Sequence, residues 1–224
     1  FLDYYQLAGL AVFFVAVTAR AVRLRIRQKV SPIRLRVTDG GKGHTISLVV
    51  FLTVLLWTLC VLIYGIDRDA ILPILCNVPV LQNLTARIVG ALLIFWGLAV
   101  FLLALRHLGA SWRLGIDERT PGKLVTRGIY SITRNPIFVF FDLYFAGTFL
   151  VNGTLIFLIF GLVLPVLLHL QILEEERTLR KLYPQAYPAY CARTARYLTW
   201  EQAWHAVDNL TRKARLNGKS PTGQ

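Results

Sequence analysis

Five long apolar stretches dominate the chain and limit what it can fold into. Each holds roughly the 17–25 mostly apolar residues that a helix needs to cross a bilayer, the fourth being slightly short. They cover Leu2–Ala19, Ile46–Ile66, Leu84–Leu105, Pro136–Val151 and Leu155–Leu173. With 55% hydrophobic and only 17% charged residues, the chain is too apolar for an ordinary soluble domain. We therefore predict an all-α integral membrane protein with five transmembrane helices.

The basic residues are confined to alternate connections between these stretches. All but Arg68 and Arg87 of the 25 Lys and Arg residues lie between stretches one and two, between stretches three and four, or after Leu173. Cytoplasmic loops carry such an excess of Lys and Arg. We predict that the N-terminus is outside and that the long loops, the functional site and the C-terminus are cytoplasmic. The net charge of +13 then reflects topology and attraction to anionic membrane lipid, and we expect no nucleic-acid partner.

Composition divides the chain into three parts. Residues 1–83 hold two transmembrane helices and a basic cytoplasmic loop, residues 84–198 hold three helices and the most informative motifs, and residues 199–224 resemble a basic amphipathic segment with a disordered end. The three Cys residues include no CxxC pair, and the His residues lack ligand spacing. We expect neither a disulfide framework nor a metal site.

A very short connection joins the last two apolar stretches. It contains Asn152-Gly153, and an Asn-Gly pair is a turn signal, so we predict that these two helices form a tight antiparallel hairpin. The hairpin would bring Arg134 and Asn135, at the start of the fourth helix, beside the acidic run 174–176 at the end of the fifth.

The start of the fourth helix is a candidate anion-binding site. Pro136 suits the first turn of a helix, and Arg134 and Asn135 precede it, where free N–H groups and the positive end of the helix dipole favour a carboxylate. Asp142 lies about two turns further in. An ionisable residue inside a span suggests a functional site, although Asp142 could equally be a hydrogen-bonded packing residue between helices.

The end of the fifth helix is a candidate cation-binding site. If the helix continues past Glu176, the three glutamates project at about 100° intervals, and at least one faces the bundle. We expect Pro184 and Pro188 to break the helix. The segment that holds Tyr183, Tyr187 and Tyr190 would then fold back as an aromatic wall. Carboxylates beside tyrosines suit a cationic ligand with a flat ring.

The alternative interpretation of the same stretch needs no ligand. The glutamates would form solvated pairs along the helix, Glu174 with Arg177 and Glu176 with Arg180. The tyrosines would then lie at the level of the lipid headgroups. The spacing of the residues leaves both interpretations open.

Two motifs resemble those of the isoprenylcysteine carboxyl methyltransferase and phospholipid methyltransferase superfamily of integral-membrane enzymes. "LVTRGIYSITRNPIF", residues 124–138, resembles the family pattern LVTxGxYxxxRHPxY. "EERTLRKLYPQAYPAYCARTAR", residues 175–196, resembles EExxLxxxFGxxYxxYxxxVPR. The resemblance covers roughly residues 92–196. In this chain Asn135 replaces the family's His and Phe138 replaces a Tyr, and Asn, unlike His, cannot titrate.

The resemblance implies a methyltransferase with S-adenosylmethionine as methyl donor. Its catalytic residues would be Glu175, nearest the reacting centre, with Arg134 and Arg196, which would hold carboxylates of cofactor or substrate. The cofactor pocket would be lined by Glu175 and by Leu124, Val125, Tyr130, Asn135, Tyr187 and Tyr190. The substrate side would include Arg134, Phe138 and Asp142. The acceptor would be a lipophilic or lipid-linked small molecule, similar to an isoprenylcysteine carboxylate or a phospholipid.

Two other functions stay open from the sequence. A membrane reductase of the sterol and steroid type has a similar C-terminal hairpin and would use NADPH. A lipid-binding membrane protein could have kept the pocket and lost the chemistry, in keeping with Asn135 at the motif His position. The glutamate pair followed by Leu179 favours methyl transfer.

Overall fold

A computed structural model describes residues 2–28, 42–66, 81, 83–109 and 124–197. Helices account for nearly all of these residues, and an isolated parallel bridge joins Thr133 and Ala195. The helices are α1 (Leu2–Gln28), α2 (Lys42–Ile66), α3 (Leu84–Leu108), α4 (Pro136–Asn152), α5 (Leu155–Leu182) and α6 (Ala186–Arg193), with a 3-10 turn at Gly128–Ser131. The all-helical prediction is confirmed for this part of the chain.

Within the described residues, four helices are long and apolar enough to cross a membrane. They are the segments Tyr4–Ile26, Gly43–Ile66, Leu84–Leu108 and Leu155–Leu182. The fourth predicted span is also helical, as α4, but it has 17 residues and is shorter than the other four. Residues 29–41 of the basic loop and the C-terminal segment 199–224, for which we predicted an amphipathic structure, lie outside the described residues.

Helices α3 and α4 share the most extensive contact in the fold because small residues line one face of α3. Gly90, Gly97 and Ala104 recur every seven residues and are all buried. A Cβ atom on Gly90 would lie 2.7 Å from the carbonyl oxygen of Gly147 on α4. Small residues let the backbones of membrane helices approach closely, so this stripe determines how tightly α4 is held.

Buried polar side chains attach α1 and α2 to α4. The amides of Gln6 and Asn152 exchange two hydrogen bonds of 3.0 and 2.8 Å, and the Tyr144 hydroxyl donates to the Gln6 carbonyl over 2.8 Å. Trp57 Nε1 on α2 donates to Thr148 Oγ1 over 3.3 Å. Because each of these groups finds a partner within the bundle, the network stabilises one arrangement of α4 against its neighbours.

The tight hairpin between α4 and α5 is confirmed. Gly153 closes α4 with φ of 60°, a left-handed conformation that glycine adopts readily, and its N–H donates to the Phe149 carbonyl over 2.7 Å. The predicted continuation past Glu176 is also confirmed, since α5 runs to Leu182. The end of α5 therefore lies beside the start of α4.

The prediction that both prolines break the helix is wrong for Pro188. Helix α5 ends at Leu182, just before Pro184, but Pro188 lies in the first turn of α6. The N–H groups of a first turn have no partner within their helix, so proline is tolerated there. The segment after Pro184 is consequently a short helix that presents Tyr187 and Tyr190 inward.

We predict that Gly90→Ala destabilises the protein, because the new methyl group meets backbone rather than a flexible side chain. Overpacking of this kind costs roughly 1–3 kcal/mol. Gly161→Ala on α5 is the matched control, since a Cβ there has nothing within 4 Å. Thermal unfolding in detergent should show a lowered melting temperature for Gly90→Ala alone. Equal melting temperatures would contradict the proposed close packing of α3 and α4.

Candidate active site

The two motif segments meet at the ends of α4 and α5. Thr133 and Ala195 form a parallel bridge, and the Arg134 N–H donates to the Ala195 carbonyl over 2.9 Å. Thr133 Oγ1 and Asn135 Nδ2 both donate to the Arg196 carbonyl over 3.1 Å. The Asn135 side chain thus binds this segment and does not cap α4. These bonds hold residues 195 and 196 against the start of α4.

The carboxylate of Glu176 lies between two arginines. Arg196 donates from Nε to Oε1 over 2.9 Å and from Nη2 to Oε2 over 2.8 Å, while Arg134 Nη2 lies 3.2 Å from Oε1. Only 6% of the Glu176 side chain and 10% of the Arg134 side chain are exposed. The hydrogen bond to Glu176 raises the pKa of Arg196 above its usual value. We define Glu176, Arg134 and Arg196 as the carboxylate clamp.

The clamp joins four parts of the fold. Glu176 belongs to α5, Arg134 directly precedes α4 and Arg196 follows α6. The Arg134 guanidinium also contacts Cys191 Sγ in α6 through Nη1. Its Nε is buried and has no hydrogen-bond partner among the described residues. The clamp therefore fixes α6 and the segment after it over the end of the hairpin, and leaves one donor unused.

Glu175 points to a different side of α5 from Glu176. It is partly buried, and its Oε1 accepts a hydrogen bond of 3.2 Å from Gln171 Nε2. Burial raises the pKa of Tyr130, and the neighbouring Tyr190 and Glu175 raise it further. The Tyr130 phenol therefore stays protonated at neutral pH. Gln171 Oε1 is buried without a partner in the described part of the chain. Glu175 thus forms no ion pair with an arginine of the described residues.

Glu174, the first of the three glutamates, faces outward. Its Oε1 pairs with Arg177 Nη1 over 2.5 Å, and 69% of the Arg177 side chain is exposed. This pair is the one predicted by the alternative interpretation, in which the glutamates form solvated pairs along the helix. Glu176 does not follow that pattern, because it pairs with Arg134 and Arg196. The three consecutive carboxylates therefore have three different environments.

Two tyrosines of α6 close the site. The Tyr190 hydroxyl donates to the Tyr130 carbonyl over 2.5 Å, which joins α6 to the 3-10 turn. Tyr187 and Tyr190 are 3% exposed or less, with ring centroids 6.1 Å apart in an edge-to-face arrangement. The Arg180 guanidinium lies 5.8 Å above the Tyr187 ring. Burial raises the pKa of both phenols, so they act as neutral walls.

The remaining predicted residues lie around this centre. Leu124 and Val125 are partly buried in the irregular segment before the 3-10 turn. Phe138 and Asp142 lie one turn apart on α4 and are also partly buried. Asp142 Oδ1 is buried and has no hydrogen-bond partner within the described ranges.

Four residues near the site escaped the sequence analysis. Gln171 lies one turn before Glu175, which a helical reading of α5 could have noted. His169 Nδ1 and the Tyr197 hydroxyl are 2.8 Å apart, but they are 28 residues apart in sequence and no motif connects them. Cys191 contacts Arg134, and only the fold of α6 brings them together.

Residues 85–186 match the model of the phospholipid methyltransferase family. That family is part of the integral-membrane methyltransferase superfamily, so the resemblance seen in the motifs is confirmed. The matched residues contain α3, α4, α5 and the first motif, and they stop at the beginning of α6. No curated protein matches the chain.

The carboxylate clamp yields a stability prediction. Glu176→Gln leaves the largely buried Arg134 and the half-buried Arg196 without a counter-charge, and loss of one partner from a buried ion pair costs roughly 3–5 kcal/mol. Glu174→Gln is the control, because an exposed pair contributes about 0–1 kcal/mol. Denaturant unfolding in mixed micelles should separate the two variants. A Glu176→Gln protein as stable as Glu174→Gln would show that the clamp does not hold the site together.

Proposed function

We propose that the protein is an integral-membrane methyltransferase that uses S-adenosylmethionine and acts on an amphiphilic, phospholipid-like acceptor. The observation that carries this proposal is the junction of the two motif segments around the carboxylate clamp. Near that junction Glu175 accepts a hydrogen bond from Gln171 and forms no ion pair with an arginine of the described residues, and its charge helps to raise the pKa of Tyr130, whose carbonyl binds Tyr190. The match of residues 85–186 to the phospholipid methyltransferase family supports the same reaction class.

The polar groups left without partners fit the cofactor. S-adenosylmethionine carries a positive sulfonium, an ammonium, a carboxylate and a flat adenine ring. Glu175 and the unpartnered Gln171 Oε1 would accept from the ammonium and face the sulfonium. Arg134 Nε, a buried donor without a partner among the described residues, would donate a hydrogen bond to the carboxylate of the cofactor. The rings of Tyr187 and Tyr190 would border the adenine, and the main chain of Leu124 and Val125 would complete the pocket.

The protein's role in the reaction is positioning and exclusion of water. When bound, S-adenosylmethionine supplies an electrophilic methyl group on a positively charged sulfur. Glu175 orients that charge, and the clamp holds α6 closed so that its tyrosines exclude water. Orientation of two reactants supplies a large part of the rate in such transfers. A dry site also favours a step in which charge is lost from sulfur.

The clamp bears on the nature of the acceptor. We expected Arg134 and Arg196 to hold carboxylates of cofactor or substrate. Three of their six guanidinium nitrogens instead contact Glu176, and Arg134 Nη1 contacts Cys191, so fewer donors are left for an acceptor carboxylate. This arrangement favours a phospholipid-like acceptor over one that resembles an isoprenylcysteine carboxylate.

The proposed membrane topology follows from the charges. Helix α4 completes five spans if it crosses with its 17 residues, which at 1.5 Å per residue extend about 25 Å. The excess of Lys and Arg in alternate connections then places the active site on the cytoplasmic side. An acceptor embedded in the cytoplasmic leaflet would reach the site from the bilayer.

We predict that the purified protein binds S-adenosylhomocysteine in detergent and that Glu175→Gln weakens binding at least tenfold. A hydrogen bond to a charged group contributes roughly 1.5–3 kcal/mol, which corresponds to about 10- to 100-fold in Kd. Isothermal titration calorimetry measures this directly. Glu174→Gln is the matched control and should bind as the unaltered protein does.

Titration with NADPH in the same experiment tests the reductase alternative. If the protein binds NADPH and does not bind S-adenosylhomocysteine, the proposed function is contradicted. If Glu175→Gln binds S-adenosylhomocysteine as tightly as the unaltered protein does, Glu175 is not part of the cofactor site. Failure to transfer a labelled methyl group to any membrane lipid, despite binding, would favour the lipid-binding protein.

A further inference from the structure

His107 is an exposed residue of α3 whose ring makes a close contact with the first motif. It belongs to the last turn of α3. Because a carbonyl can only accept, His107 Nδ1 donates to the Leu103 carbonyl one turn earlier, over 2.9 Å. A Cβ atom on Gly128 would lie 2.2 Å from His107 Cδ2 and 2.5 Å from His107 Nε2. The ring therefore lies directly against the main chain of Gly128.

Gly128 begins the 3-10 turn in a conformation that suits glycine. Its φ is 65°, in the left-handed region, where a Cβ atom is unfavourable. Arg127 before it is extended, and the Ser131 hydroxyl donates to the Gly128 carbonyl over 2.7 Å. The chain thus changes direction at Gly128, and the His107 ring occupies the space that a side chain there would need.

The same turn carries a residue of the proposed cofactor pocket. Tyr130 lies two residues after Gly128 and is 7% exposed. Its carbonyl accepts from the Tyr190 hydroxyl of α6 over 2.5 Å. The turn is also closed within itself, because the Ile132 N–H donates to the Ile129 carbonyl over 3.1 Å. A shift of Gly128 would therefore move Tyr130 and the contact between Tyr130 and α6.

The end of α3 is a fixed support for this turn. Arg20 of α1 donates from Nη2 to the carbonyl of Gly109, the residue that follows α3. Leu24, one turn further along α1, is 6% exposed and belongs to the hydrophobic core. Helix α3 also packs along α4 through its small residues. His107 thus projects from a helix end that α1 and α4 hold, whereas Gly128 lies in a segment without such packing of its own.

Burial of apolar surface does not account for the position of His107. The residue is exposed, so its contribution to the hydrophobic core is small. Ala104 and Leu105, in the same part of α3, are 0% and 6% exposed and pack this helix end into the bundle. The contact with Gly128 is therefore the feature of His107 that bears on the site.

We infer that His107 is a positioning residue for the cofactor site: its ring supports the 3-10 turn and thereby holds Tyr130 in place against Tyr190. The inference rests on the proposed function for the identity of the cofactor. It deepens that proposal because it gives α3 a part in the site, although His107 lies outside both motifs. His107 acts through Gly128 and not through contact with the cofactor.

The first test is binding of S-adenosylhomocysteine to the full chain in detergent, measured by isothermal titration calorimetry. We expect His107→Ala to weaken binding roughly fivefold or more, because the turn loses its support. His107→Phe keeps a ring against Gly128 and should bind within about twofold of the unaltered protein. Arg106→Ala, on the same turn of α3 and also exposed, is the matched control and should bind as the unaltered protein does.

A double-mutant cycle tests the contact itself. Gly128→Ala places a methyl group against the His107 ring and also strains the backbone at a φ of 65°. His107→Ala removes the first of these costs and leaves the second. We therefore expect the loss of affinity caused by Gly128→Ala to be at least about threefold smaller in the His107→Ala background than in the unaltered protein.

Hydrogen–deuterium exchange provides a second measurement, which needs no ligand. Peptides that cover Gly128–Ser131 should exchange faster in His107→Ala than in the unaltered protein or in Arg106→Ala, since local opening of the turn becomes easier. His107→Asn removes the ring but keeps a donor for the Leu103 carbonyl. It should behave as His107→Ala does, and it replaces that variant if His107→Ala does not fold.

Several outcomes would overturn the inference. They are unchanged affinity in the variants that lack the ring, additive losses in the double-mutant cycle, unchanged exchange of the turn, or a loss of affinity in His107→Phe as large as in His107→Ala. If the unaltered protein does not bind S-adenosylhomocysteine, the proposed function is contradicted, whereas the exchange measurement still tests the role of His107. The two failures are therefore distinguishable.

Discussion

The arrangement of the whole site depends on one carboxylate. Glu176 receives three contacts of 2.8–3.2 Å from Arg134 and Arg196, and through them α4, α5 and the chain after α6 are held together. A buried charge is tolerated only when it is paired, so the clamp allows little freedom in how these segments meet. The positive partner of the glutamate is therefore supplied by the protein itself, whereas the neighbouring Glu175 forms no ion pair with an arginine of the described residues.

This division of the glutamates gives the site two sides. On one side, Glu175 and Gln171 are the residues that we propose to bind the sulfonium cofactor. On the other side, His169 of α5 lies 2.8 Å from the Tyr197 hydroxyl. In the proposed function the cofactor enters from water and the acceptor enters from lipid.

Sequence patterns predicted the helices and their hairpin because long apolar stretches and an Asn-Gly turn are local signals. They also predicted that Arg134 lies beside the acidic run, because the short turn leaves no other arrangement. They did not predict which glutamate each arginine binds, since a shift of one residue rotates a helical side chain by about 100°. The His169–Tyr197 contact depends on how the segment after α6 folds back, and no spacing in the sequence encodes it. Pro188 was misread because proline breaks a helix interior but suits its first turn.

The most direct test of this account is an experimental structure with S-adenosylhomocysteine bound, determined in a lipid nanodisc. The account predicts that the ligand lies between Glu175 and the rings of Tyr187 and Tyr190, with Glu176 still bound to both arginines of the clamp. A ligand bound elsewhere in the bundle would contradict it. So would a structure in which Glu176 releases Arg196 to contact the ligand, because the clamp would then be part of the cofactor site rather than its frame.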